Sequence, residues 1–145
     1  MMKHFFGSVT FFLFFVALSP AWGEDVVNQD QKIKAAQTVA ESWLTLTDVN
    51  KTNETWDSAS PLLQSAITKE QWQKSLQAAR GPLGELKSRK LKTATFAKSM
   101  PGAPDGEYVV IQYETVFANK AAALETITPA LDKDGKWKVA GYLIK

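Results

Sequence analysis

Residues 107–144 read EYVVIQYETVFANKAAALETITPALDKDGKWKVAGYLI, and this stretch decides the fold. Apolar, β-branched and aromatic residues alternate with polar ones, and the alternation is interrupted by Asn119-Lys120 and by Asp132-Lys133-Asp134-Gly135. Period two marks strands, and Asn- or Asp-Gly-rich interruptions mark hairpins. Residues 107–118, 121–131 and 136–144 are therefore expected to form three consecutive antiparallel strands. A fourth precedes them over residues 85–97, joined by a Pro- and Gly-rich turn at residues 99–106.

Upstream of Gly84 the period changes. Between residues 25 and 49, Val26, Ile33, Ala36, Val39, Ala40, Trp43, Leu44 and Leu46 recur mostly at steps of three and four, the pattern of a long amphipathic helix. Ser60-Pro61 opens a short helical segment. Thr68-Lys69-Glu70-Gln71 forms a capping box for a further helix, which Gly81-Pro82 ends after Arg80. Helices first and a meander afterwards predict an α+β domain, N-terminal helices packed on a curved four-stranded antiparallel sheet.

Residues 1–23 carry Lys3 and His4, an apolar run from Phe5 to Leu18, and then Ser19-Pro20-Ala21-Trp22-Gly23. That is the outline of a secretory signal peptide, with cleavage expected between Gly23 and Glu24 and no permanent membrane anchor afterwards. The expected product is one periplasmic or secreted domain over residues 24–145. It would contain neither His nor Cys, and 16 Lys and Arg against 15 Asp and Glu. Imidazole and thiolate catalysis, thiolate or histidine metal sites and disulfides are then excluded. Near-neutral charge argues against nucleic acid, although Lys87, Arg89, Lys90 and Lys92 form a modest basic cluster. No metal and no cofactor is expected.

Placing the turns at Asn119-Lys120 and Asp132–Gly135 sets a register in which Glu114 faces Glu125 and Glu125 faces Tyr142. In that register Val109, Ile111, Tyr113, Phe117, Leu124, Trp137, Val139 and Leu143 share the core face. Glu114, Glu125 and Tyr142 form a polar row on the opposite face, bordered by Tyr108, Val110, Val116, Ile127 and Ile144, with Arg89 or Lys90 supplying a cation. Arg80 and Arg89, the only arginines, are expected to pair with Glu114, Glu125 or Glu85. On this reading the carboxylates lie on the face away from the helices, which speaks against their use as a general base with Tyr142.

Several segments occur in a specific order: Trp43-Leu44 with Asp48, Trp56, Thr68 to Trp72, Arg80-Gly81-Pro82-Leu83-Gly84, Ser88-Arg89, Glu125-Thr126, and Asp134-Gly135-Lys136-Trp137-Lys138-Val139-Ala140-Gly141-Tyr142. In these the chain resembles the bacterial "domain of unknown function 4019" family. The resemblance implies a small exported α+β protein, cone-shaped and nuclear transport factor 2-like or cystatin-like, and brings no activity with it. Two functions are consistent with these residues. One is a non-enzymatic interaction or accessory domain using its sheet face, as a homodimer or on an envelope partner. The other is a small apolar-ligand module, its pocket between the long helix and the sheet lined by Trp43, Trp72, Tyr113 and Trp137.

Overall fold

The structure, a computed structural model, describes residues 21–145. Most of the expected leader therefore lies outside the described residues. The elements follow in the order α1 (Ala21–Asp48), α2 (Thr52–Asp57), α3 (Pro61–Ala66), α4 (Lys69–Arg80), a 3-10 turn (Gly81–Leu83), then β1 (Leu86–Ala97), β2 (Tyr108–Phe117), β3 (Lys120–Leu131) and β4 (Trp137–Ile144). The protein is α+β, with one antiparallel sheet in the order β1-β2-β3-β4. None of the helices among the described residues is long and apolar enough to cross a membrane.

Local chemistry explains the helix ends. α1 is already helical at Ala21, ahead of the expected 25, and closes on Asn50, whose φ of 58° is the left-handed turn that Asn tolerates best after Gly. The Lys51 amide donates to the Leu46 carbonyl at 2.9 Å and the Asn50 amide to Thr47 at 3.2 Å, which satisfies carbonyls the helix itself leaves open. α3 is capped by the Ser60 hydroxyl, and α4 has the full reciprocal capping box between Thr68 and Gln71.

α1 lies against the sheet through Ala36, Ala40, Trp43 and Leu44, all buried; two alanines let the helix backbone approach closely. The core continues through Leu63, Trp72 and Leu76 from the shorter helices and Val109, Ile111, Tyr113, Ile127 and Val139 from the sheet. Residues 25–31 of α1 are all exposed, Val26 and Val27 among them. β1 is an edge strand. It carries an extra residue against β2 at Lys87 and another at Lys92, and with Lys90 these give the edge a lysine-rich rim.

The register differs from expectation at both hairpins: the β3–β4 turn takes in Lys136, so that Leu131 is opposite Trp137 and not Lys136. The β2–β3 hairpin turns on Ala118-Asn119, with Phe117 opposite Lys120, and not on Asn119-Lys120. That shift alone preserves which side each residue faces. Between Phe117/Lys120 and Thr115/Ala123, however, β3 has one more residue than β2, an irregularity within Ala121-Ala122. A single extra residue reverses the faces from there on. Tyr113 is therefore opposite Glu125, and Glu114 opposite Leu124. In β4 the extra residue is Ala140, next to Gly141, where a bulge fits the glycine. Tyr142 stands opposite Ile127, one step diagonal to Glu125.

The expected outer row is corrected accordingly. Glu125 and Tyr142, with Arg89 opposite Thr115, lie on the helix-covered face; Glu114 is on the other face, level with Lys90 and 4.0 Å from Lys92. Ile127 and Tyr108, expected on the open border, are buried, while Leu124 is only half-buried and Leu143 is 53% exposed. Val109, Ile111, Tyr113, Phe117 and Val139 are in the core as expected, with Trp137 packed beside it.

Candidate functional site

The inner face of the sheet holds a chain of charges that joins six elements. Glu125, on β3, is 0% exposed. Its Oε1 accepts from Arg89 Nε at 2.7 Å and from the Thr115 hydroxyl at 2.6 Å; its Oε2 accepts from Arg89 Nη2 at 3.2 Å and from the Tyr142 hydroxyl. A carboxylate has about four acceptor positions. All of them are used.

Arg89 turns its other side to Asp48 at the end of α1, with Nη1 on Oδ2 at 2.8 Å and Nη2 on Oδ1 at 2.9 Å. Asp48 Oδ1 also accepts from Arg80 Nη2 at 2.9 Å. Asp48 is an anion in the last turn of a helix, where the dipole disfavours it and where α1 offers no basic residue of its own. Two guanidinium groups from distant segments supply what the helix lacks. Arg80, 8% exposed, lies with its guanidinium carbon 4.8 Å from the Phe117 ring centre, so an aromatic face takes part of its charge. Two cations and two anions alternate, and the cluster is neutral as a unit.

Burial by itself would raise the pKa of Asp48, but hydrogen bonds and charge from Arg89, and then from Arg80, outweigh it and hold the carboxyl below its ordinary 3.8. Burial would likewise discharge Arg89, and its bonds to Asp48 and Glu125 reverse that and keep it protonated. Tyr142 is pushed well above the ordinary phenol range by burial, then by the charge of Glu125 and their hydrogen bond, so it stays a neutral donor. Burial pushes Tyr113 up to about 12.

A depressed carboxyl pKa adds stability that is present above its unfolded value and is lost as pH falls through the folded value. Urea melts from pH 7 to pH 2 should thus show wild-type stability falling below pH ~3.8, with a visibly shallower fall in Asp48→Asn. Equal slopes for the two proteins would remove Asp48 from this account.

The four aromatics expected to line a pocket are placed as follows. Trp43 and Trp72 have ring centres 5.9 Å apart, and Trp43 meets Tyr142 edge-on at 5.2 Å. The Trp43 indole N–H donates to the Thr55 carbonyl and that of Trp72 to the Thr55 hydroxyl, both at 2.9 Å. Thr55, from the short α2, is thus the fixed point for both tryptophans. Tyr113 is buried opposite Glu125, and Trp137 is half-buried at the far end of β4. Clefts open elsewhere, around α3, on the outer face of the sheet, and between α1 and β1 at Lys32 and Phe96.

The expected grouping of Arg89, Glu125 and Tyr142 is therefore present, on the inner face and without Glu114. Asp48 and Arg80 complete it, and the expected partners of Arg80 were different. The alternation of apolar residues could not reveal them, because the contacts span 41 and 32 positions. The one available signal was Asp48 itself, an acid at the wrong end of a helix.

Residues 39–142 match the family described as "Protein of unknown function (DUF4019)". The chain belongs to that family. All six members of the buried cluster in this DUF4019 domain (Asp48, Arg80, Arg89, Thr115, Glu125 and Tyr142) lie within the matched span, whereas the exposed start of α1 lies before it. No curated protein matches the chain. Among the described residues there is also no group of three or more His, Cys, Asp or Glu placed to hold a metal ion.

Proposed function

We propose that this protein is an exported, non-enzymatic interaction domain of the bacterial periplasm that works through the outer face of its sheet. The observation that carries this reading is the contrast between the two faces. On the inner face each acceptor of Glu125 is occupied, and the Tyr142 hydroxyl is committed to that carboxylate, so neither is free to move a substrate proton. On the outer face, Thr93, Thr95 and Leu143 stand in solvent, with Gln112 half-buried between them. Export rests on the leader of residues 1–23, with its cationic start and apolar run.

The reading predicts where contacts form in the cell. A photo-crosslinking amino acid placed at Gln112, at the centre of the outer face, should give covalent adducts with protein, while one placed at exposed Gln77 on α4 should give few. Equal yields at the two sites, or none at Gln112, would sink the outer-face reading. Recovery of the adducts in the periplasmic fraction tests export separately.

A further inference from the structure

The outer face is not evenly polar. Going down the strands, one row is Lys90, Glu114, Leu124 and Lys145; the next two are Thr93, Gln112, Thr126, Leu143 and Thr95, Val110, Thr128, Gly141; the fourth is Ala97, Tyr108, Ala130 and Lys138. The two middle rows contain no ionisable side chain. Charges depleted at the centre and kept at the rim are what a protein interface shows.

The same strand also carries a knob and a hole. Leu143 projects from β4, 53% exposed. Two residues away, a Cβ built on Gly141 would meet nothing within 4 Å, and the glycine forms part of a cleft of about 300 Å3 lined by Leu62, Met100, Pro104, Tyr108 and Thr128. We propose that a second copy of this chain covers the outer face, related by a two-fold axis that runs across the strands between the two uncharged rows, so that each Leu143 enters the other copy's cleft at Gly141. This rests on the outer-face reading above and names its partner.

That axis is the one the residues favour. It lays the Leu143 row on the Gly141 row of the other copy, pairing Thr93 with Thr95, Gln112 with Val110 and Thr126 with Thr128. It also brings the charged row to the end of the sheet where Tyr108 and Ala130 are buried beside the 99–106 turn and Lys138 is partly open. Lys145 then comes down on Lys138, whose ammonium is already held by Asp132 at 2.7 Å and Asp134 at 2.9 Å. Two carboxylates around one ammonium leave an excess negative charge for Lys145 to meet. A two-fold along the strands would instead set Lys90 on Lys145, and Leu143 on Thr93, leaving the cleft unfilled. Aligned sheets packed face to face in this way form an isologous, closed pair.

Sedimentation velocity on the protein as purified from the exporting cell decides the matter. The wild type should run as a dimer at tens of micromolar. Leu143→Asp and, separately, Gly141→Leu should each weaken the dimer by roughly 100-fold or more, since every change acts at two symmetry-related contacts. Both positions are open on the single chain, so both variants should keep the wild-type melting temperature. A wild type that stays monomeric, or a dimer indifferent to both substitutions, overturns the proposal. If the purified protein is a monomer while Gln112 still crosslinks to a different protein in cells, the second copy falls and the outer-face reading stands.

Discussion

Arg89→Met should lower the free energy of unfolding by about 3–5 kcal/mol, measured by urea denaturation at pH 7. The guanidinium serves two carboxylates at once. Its removal leaves Glu125, with no solvent exposure, to the hydroxyls of Thr115 and Tyr142 alone, and leaves Asp48 with only one bond to Arg80. An uncompensated buried charge costs far more than the pair contributed. For the same reason Arg89→Met combined with Glu125→Leu should be less damaging than the sum of the two single changes, because the orphaned anion goes with its partner. A single-variant loss under ~1 kcal/mol would mean that the cluster is hydrated or adjustable, and a strictly additive double variant would mean that the two residues do not sense each other.

The second large effect is expected at Trp43. Trp43→Ala should cost about 3–5 kcal/mol, the range for removing a large buried aromatic. The ring is 3% exposed and touches Trp72 and Tyr142, so its loss opens a void between α1, α4 and the sheet that rigid neighbours cannot fill. Trp43→Phe separates packing from polarity. It keeps most of the ring but leaves the Thr55 carbonyl without its indole donor, for a cost of about 1–3 kcal/mol. Tryptophan fluorescence during unfolding follows both variants. If Trp43→Ala were no worse than Trp43→Phe, the space beneath α1 would have to be plastic, as a ligand pocket is and a packed core is not.

Much of this fold was legible in the sequence, and for identifiable reasons. Thr68 and Gln71 announce the start of α4 because the bonds they make are local, and Asp132 to Gly135 announce a hairpin because only a few residues suit that turn. The grouping of Arg89, Glu125 and Tyr142 was legible from strand pairing alone. Which face they occupy was not. That depended on one surplus residue in a run of three alanines for Glu125 and on another, Ala140, for Tyr142, and alanine has no preference strong enough to mark an irregular pairing. Asp48 and Arg80 were hidden differently, since an ion pair between the ends of two helices leaves no periodic trace. Trp43 and Trp72 could be assigned to the interior from helical spacing, but their shared anchor on Thr55 could not, because a threonine in a six-residue helix looks like any turn residue.

The surplus residue within Ala121-Ala122 also bears on how this lineage can vary. Deleting one alanine there would leave a single residue opposite Val116 and keep every pair from Thr115/Ala123 onward, with Glu125 inside and Leu124 outside. Deleting two would leave β3 one residue short, and uninterrupted pairing from Phe117/Lys120 would then send Glu125 to solvent and Leu124 under the helices. Relatives should therefore tolerate the loss of one residue in this hairpin and not of two, a rule that an alignment of the family would display at once.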